Sequence, residues 1–101
     1  MAKTMQQIIN TGEAISHPLR LKILYMLAGR EWYVYELAKE LNVSRQVLYL
    51  HLKRLEKAGF VESDLRLEDE DQRAKKFFKL VNFDIDIDLT DLNKLFEKKS
   101  T

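Results

Sequence analysis

Residues 34–62 read VYELAKELNVSRQVLYLHLKRLEKAGFVE, and the phase of the second half of this stretch decides the fold. Two helical patterns, over residues 36–41 and 44–58, meet at Asn42 and Val43, which leave room only for a tight turn. Ser44 offers a hydroxyl to cap the amides of the second helix, and Gly59 is placed to close it. Ala38 is small where two helices so joined would cross closely. At about 100° per residue, Leu48, Leu52 and Leu55 form one stripe with His51 beside it, and these read as core. Gln46, Lys53 and Lys57 fall on the opposite side, Tyr49 and Arg54 at its margins and Val47 on the flank. Leu50 lands among the polar residues, facing outward, and so stands apart from the rest of the apolar run.

Upstream, residues 3–15 read as a helix with Met5, Ile8, Ile9, Gly12 and Ile15 roughly on one side. His17 sits at the cap position before Pro18, and proline suits a first helical turn because its missing N–H would have no partner there. A helix over residues 18–28 follows, with Leu19, Ile23, Met26 and Leu27 inward and Gly29 ending it in a left-handed cap. Trp32, Tyr33 and Val34 predict one brief strand.

Downstream, residues 60–67 and 74–81 predict two strands separated by an exposed polar loop over residues 68–72, which makes a hairpin. Phe83, Ile85, Ile87 and Leu89 alternate with Asp84, Asp86 and Asp88, the pattern of a further strand buried on one face. Thr90 is positioned to cap a last helix to about Lys99, with Leu92, Leu95 and Phe96 apolar.

A chain of 101 residues with 46% hydrophobic content is expected to form one domain with a modest core. The absence of cysteine excludes a disulfide scaffold and thiolate metal sites, and favours a reducing, intracellular setting. No apolar run approaches the ~20 residues needed to cross a bilayer, and residues 1–10 lack a secretory core, so a soluble, cytoplasmic protein is expected with no membrane partner. The formal net charge is only +1, short of the strongly basic balance of a general nucleic-acid binder. The charge is instead banded: residues 44–60 sum to +3, residues 61–72 to −5 and residues 73–80 to +4.

The order helix, helix, short strand, helix-turn-helix, hairpin is that of a winged helix-turn-helix, an α+β but mainly helical fold, here with an extra strand and a C-terminal helix. The expected layout is a single domain over residues 1–101, with the helix-turn-helix at about 36–58, the wing at about 60–81 and the C-terminal strand and helix at about 83–99. AISHPLRLKILYML, residues 14–27, resembles the second-helix signature of the arsenical-repressor (ArsR-type) transcription regulators, in which a proline follows the helix cap and an arginine comes two residues later. Residues 34–62 resemble the same family's helix-turn-helix and the start of its wing. The likeness runs from Ala14 to about Leu80; the tail NFDIDIDLTDLNKLF is less typical and looks like an archaeal-style variant. The resemblance implies a dimeric regulator of double-stranded DNA whose helix from Ser44 enters the major groove while the wing touches neighbouring backbone.

On that helix Gln46 suits an adenine edge, Arg45 suits guanine or phosphate, and Val47 or Leu50 suits a thymine methyl. Lys53, Arg54 and Tyr49 more naturally reach phosphates, which position a protein without specifying sequence. The bland alternatives are that Leu50 packs within the fold or on a partner subunit, and that the cluster of Arg45, Gln46, Lys53 and Arg54 is an ordinary solvated face. In the wing, Arg73, Lys75 and Lys76 suit phosphate contact, whereas Glu68, Asp69, Glu70 and Asp71 would repel a phosphate backbone and limit non-specific affinity. Surplus apolar surface on the first and last helices makes Ile8, Ile9, Leu92, Leu95 and Phe96 candidate dimer residues, with intramolecular core as the alternative. Two-fold symmetry would then imply a palindromic site.

Other chemistries find little support. Asp84, Asp86 and Asp88 resemble the start of a calcium loop, but Leu89 stands where the sharp turn needs glycine, so a solvent-facing carboxylate row is expected. His17 reads as a helix cap and His51 as a semi-buried packing residue, and without cysteine a metal-sensing role lacks its usual ligands. Ser44 has no paired base or oxyanion turn, so no enzyme signature and no cofactor is indicated. The rival to DNA regulation is a winged-helix module that binds protein or serves an architectural role through the Leu50 face and the acidic tip. No small-molecule or protein effector is named by any motif.

Overall fold

The structure, a computed structural model, describes residues 3–68 and 71–97, the side chains of residues 68 and 71–73 excepted. Helix α1 (Met5–Ile15) begins with a capping box: the Thr4 hydroxyl accepts from the Gln7 amide, and the Gln7 side chain accepts from the Thr4 amide. Helix α2 (Pro18–Gly29) is capped by His17, whose Nδ1 accepts from the Leu19 amide at 3.0 Å. Strand β1 (Trp32–Tyr33) leads into α3 (Val34–Leu41), then α4 (Arg45–Lys57), strands β2 (Val61–Glu68) and β3 (Asp71–Leu80), and helix α5 (Leu89–Phe96).

The turn between α3 and α4 is made by Asn42, which takes a left-handed conformation with φ 56°. Asparagine tolerates that region better than most residues. The Val43 amide donates to the Ala38 carbonyl at 3.0 Å, and Ala38 is buried, so the small side chain lies where the chain folds back on α3. Gly59 has φ 78°, the conformation in which glycine reverses a chain without steric penalty. Its neighbour Phe60 thereby enters the core at the start of β2.

The sheet has order β1-β3-β2, with both neighbouring pairs antiparallel. Trp32 lies opposite Phe78 and Tyr33 opposite Phe77, while Ser63 pairs with Phe78 and Leu65 with Lys76. Because side chains alternate across a strand, Phe78 enters the core and Phe77 lies on the outer face. The core combines Ile23, Leu24 and Leu27 of α2, Val34, Leu37 and Ala38 of α3, Leu48, Leu52 and Leu55 of α4, and Phe60, Val61 and Phe78, with Ala14 from α1. Helix α5 places no residue in it.

Several sequence expectations are corrected. Val34 starts α3 and is buried there, two residues ahead of the expected helix, so β1 is shorter. Gly29 is the last residue of α2, and the chain leaves it through an extended Arg30 whose amide donates to the Met26 carbonyl; passing straight toward β1 requires no left-handed residue. The hairpin strands reach Glu68 and resume at Asp71, because a backbone ladder does not depend on apolar side chains. Residues 69–70 of the expected acidic tip, and the side chains of Glu68 and Asp71, lie outside the described residues.

The further strand expected over residues 83–89 is not formed, and among the described residues the sheet has three strands. Alternation indicates which face of a segment is apolar, but it supplies no backbone partner. Phe83 meets the demand for burial by stacking on Phe60, with ring centroids 4.5 Å apart. The cap of α5 is Asp88, in a reciprocal box with Asp91, and not Thr90, and the helix ends at Phe96. A carboxylate accepts the orphan amides at a helix start at least as well as a hydroxyl, and complements the helix dipole.

Candidate nucleic-acid interface

Helix α4 is held from both ends and from beneath. The Ser44 hydroxyl accepts from the Val47 amide at 3.1 Å, leaving Arg45 and Gln46 exposed on the first turn. Leu48, Leu52 and Leu55 are 0% exposed, whereas Leu50 is 65% exposed. The helical phase worked out for these residues is the one the fold adopts. Val47 and Tyr49 are also exposed.

Leu50, Lys53, Arg54 and Lys57 follow the i, i+3, i+4, i+7 spacing of a single helical stripe. With Glu13 from α1 they line a depression of about 300 Å³. Arg54 Nη1 donates to Glu13 Oε2 at 3.1 Å across its mouth. Three cations thus face one acid around an exposed leucine.

The first turn of α4 is braced by aromatic rings. The Arg45 guanidinium lies 5.6 Å from the Tyr35 ring centroid, Tyr35 stacks on Tyr33 at 6.1 Å, and Tyr33 meets Phe77 at 5.7 Å. A cation over a ring face is attracted by the ring quadrupole while remaining accessible to an anion. The hairpin joins the same arrangement from two sides. Lys76 lies 5.4 Å from the Tyr49 ring of α4, and Lys75, on the opposite face of β3, lies 5.2 Å from Tyr33.

Across the outer face of the sheet, Arg66 makes a two-pronged pair with Glu31, both contacts 2.6 Å, and passes 4.5 Å from the Phe77 ring centroid. Its hydrogen bonds to Glu31 and to Asp64 raise its pKa further above the ordinary arginine value. The same bond from Arg66 holds the Glu31 carboxyl below the usual carboxylate range. Arg66 thereby ties β2 to the chain just before β1, spanning β3.

Beneath α4 lies Arg20, only 6% exposed. Its Nε donates to the carbonyls of Glu13 (3.0 Å) and Ala14 (3.2 Å), its Nη2 to the Ser16 hydroxyl (3.0 Å) and its Nη1 to His51 Nδ1 (2.8 Å). A guanidinium only donates, so Nδ1 of His51 accepts and the neutral ring carries its proton on Nε2. Burial lowers the His51 pKa, as do the charges at His17, Arg20 and Arg54. The His17 ring lies 4.7 Å from that of His51. Among the described residues no buried side-chain nitrogen or oxygen is left without a partner.

The structure therefore gathers Leu50, Lys53 and Arg54 on one face and Arg45 and Gln46 at its leading edge, with Tyr49 linking that face to Lys76. The Arg73 side chain lies outside the described residues. Ile8, Ile9, Leu92, Leu95 and Phe96 sit on helices α1 and α5; Ile9, Leu92 and Phe96 are exposed and Ile8 and Leu95 half-buried. Sequence reading did not place Glu13 or Tyr35 here. Glu13 gives no signal, being 41 residues from Arg54, and Tyr35 was hidden by the late start expected for α3.

Residues 17–63 match the family described as bacterial regulatory protein, arsR family. The chain is 49% identical over 92 residues, 91% of its length and 95% of the relative's, to an uncharacterised HTH-type transcriptional regulator of Methanocaldococcus jannaschii. The chain belongs to the arsR family. Its structure is similar to that of HlyU from Vibrio cholerae (TM-score 0.59, 30% identity, covering 75% of this chain and 76% of that one) and to reduced HlyU from the same organism (0.60, 26% identity, 91% and 90%). A transcriptional regulator HlyU from Vibrio vulnificus matches comparably, with a TM-score of 0.57 and 29% identity over 75% and 73% of the two chains. This arsR-family chain is accordingly a DNA-binding transcription regulator with a winged helix-turn-helix fold. Among the described residues no helix is long and apolar enough to cross a membrane.

Proposed function

We propose that the protein works in the cytoplasm as a homodimer that reads a palindromic operator, each protomer placing α4 in a major groove and the β2–β3 hairpin along the adjacent backbone. The observation that carries this reading is the division of α4: Leu48, Leu52 and Leu55 are wholly buried while Arg45, Gln46, Leu50, Lys53 and Arg54 stand exposed. Gln46 has the donor and acceptor pair that matches an adenine edge, and Arg45 the fork that matches guanine or a phosphate. Leu50, exposed yet apolar, fits a thymine methyl. Lys53, Arg54 and Tyr49 take phosphates, and Lys76, already over the Tyr49 ring, carries the phosphate track onto the wing together with Lys75 and Arg73.

The exposed apolar side chains of α1 and α5 support the dimer. Helix α1 gives the core only Ala14 and α5 gives it nothing, and Lys3 Nζ, just before α1, pairs with Asp91 of α5 at 3.2 Å. A two-fold dimer would set half-sites about one helical turn, ~34 Å, apart. The test is fluorescence anisotropy of a selected duplex titrated with salt. Binding through this face predicts an affinity that falls steeply with salt, with a slope reduced by roughly one for each of Lys53→Gln and Arg54→Gln. Binding that is indifferent to salt would favour an apolar protein contact at Leu50 instead.

A further inference from the structure

We propose that Glu13 competes with DNA for Arg54: its carboxylate occupies the guanidinium in the free protein and must give way to a phosphate when the operator binds. The proposal rests on the reading of α4 as the DNA-contacting helix. It deepens that reading by naming an acid built against the contact surface.

The geometry supplies the competition. Arg54 Nη1 lies 3.1 Å from Glu13 Oε2, and both side chains are about half exposed, at the rim of the depression lined by Leu50, Lys53 and Lys57. A duplex lying along the exposed stripe of α4 brings its backbone to this rim. A phosphate taken in the two-pronged manner that guanidinium favours needs the donor that Glu13 now holds.

The backbone of Glu13 is anchored next to Arg54. Its carbonyl accepts from Arg20 Nε at 3.0 Å, from the Ser16 hydroxyl at 2.9 Å and from the Ser16 amide at 3.3 Å. The last turn of α1 is thus anchored to α2, and through Arg20 to His51 of α4. The Glu13 backbone is thereby fixed beside the basic stripe, and only a change of side-chain rotamer releases the carboxylate from Arg54. A phosphate approaching Arg54 therefore meets a carboxylate already within reach of the guanidinium and competes with it for the donor. The effect is to lower affinity for any duplex while leaving base readout at Arg45 and Gln46 unaltered.

The experiment measures binding of a selected operator duplex and a random duplex by wild type, Glu13→Gln, Arg54→Gln and the double variant, over a range of salt. Glu13→Gln is expected to tighten both complexes by about three- to tenfold at low salt, with a steeper salt slope. In the Arg54→Gln background the same change is expected to alter affinity less than twofold. Thermal melting, and Glu56→Gln on α4 as a control that removes an equal charge away from Glu13, separate masking from altered folding or general charge. Unchanged or weaker binding by a folded Glu13→Gln variant overturns the proposal, because Glu13 would then be orienting Arg54. Equal tightening in the Arg54→Gln background also overturns it. Wild type that binds neither duplex in a salt-dependent way sinks the reading of α4 itself, an outcome distinct from the other two.

Discussion

Arg20 Nη1 donates to His51 Nδ1 at 2.8 Å, and this one hydrogen bond joins α2 to α4 beneath the exposed face of α4. The rest of the guanidinium is spent on the end of α1, through the Glu13 and Ala14 carbonyls and the Ser16 hydroxyl. Three helices therefore meet at one buried cation. Such a residue adds positional precision more than net stability, but removing it strands every acceptor it served. Arg20→Leu is expected to destabilise the fold by about 2–4 kcal/mol in urea unfolding. A loss under about 1 kcal/mol would show that these acceptors are satisfied some other way.

The same contact predicts a pH dependence. The His51 pKa lies below its ordinary value because of burial first, then the charges at His17, Arg20 and Arg54. As pH falls past the ordinary value of about 6.5, the unfolded chain takes up a proton that the folded one resists. The contribution of His51 is therefore complete above about pH 6.5 and declines as the pH drops toward its lowered folded value. Melting temperature should fall over that window, and His51→Gln should flatten the fall. Glu31, bonded to Arg66, and Asp91, bonded to the Asp88 amide, have lowered pKa values and act in a more acidic window, below the ordinary carboxylate range. A profile that is level from pH 7 to pH 5.5 in wild type would contradict the assignment to His51.

Leu50 and Leu52 make a paired prediction, because they stand two positions apart on α4, one largely exposed and the other wholly buried. Leu52→Ala should cost about 2–5 kcal/mol, the price of a core cavity. Leu50→Ala should change monomer stability by no more than about 0.5 kcal/mol while changing base preference in a binding assay. Equal destabilisation by the two would mean that Leu50 is covered in solution.

Leu65 and Leu67 extend the logic to the hairpin, where both are more exposed than Leu50. They lie on the face of β2 that pairs with Lys76 and Ala74. Leu65→Ser and Leu67→Ser are each expected to leave folding stability within about 0.5 kcal/mol of wild type by thermal unfolding. A larger loss would show that the hairpin folds onto another surface.

The residues that were legible in the sequence are those whose neighbours are set by helical geometry. Leu48, Leu52 and Leu55 share a stripe through the 3.6-residue repeat alone, and Ser44, His17 and Gly59 act on backbone within three residues of themselves. Phe83, Ile85 and Ile87 misled because alternation states a preference for one-sided burial without naming a strand to pair with. Asp88 and Thr90 are both competent caps two positions apart, and the reciprocal bond with Asp91 decides between them. Glu13, Arg20 and His51 come together only when α1, α2 and α4 pack, so neither the charge bands nor the spacing reveals the acid beside Arg54.

The central claim is that the exposed face of α4 reads base sequence, and selection of bound duplexes from a random pool tests it most directly. Wild type should enrich a two-fold symmetric motif, and the Arg45→Ala, Gln46→Ala double variant, checked for normal melting, should lose that motif while retaining weak, salt-sensitive binding to any duplex. Enrichment of the same motif by the double variant, or of no motif by wild type, would contradict it.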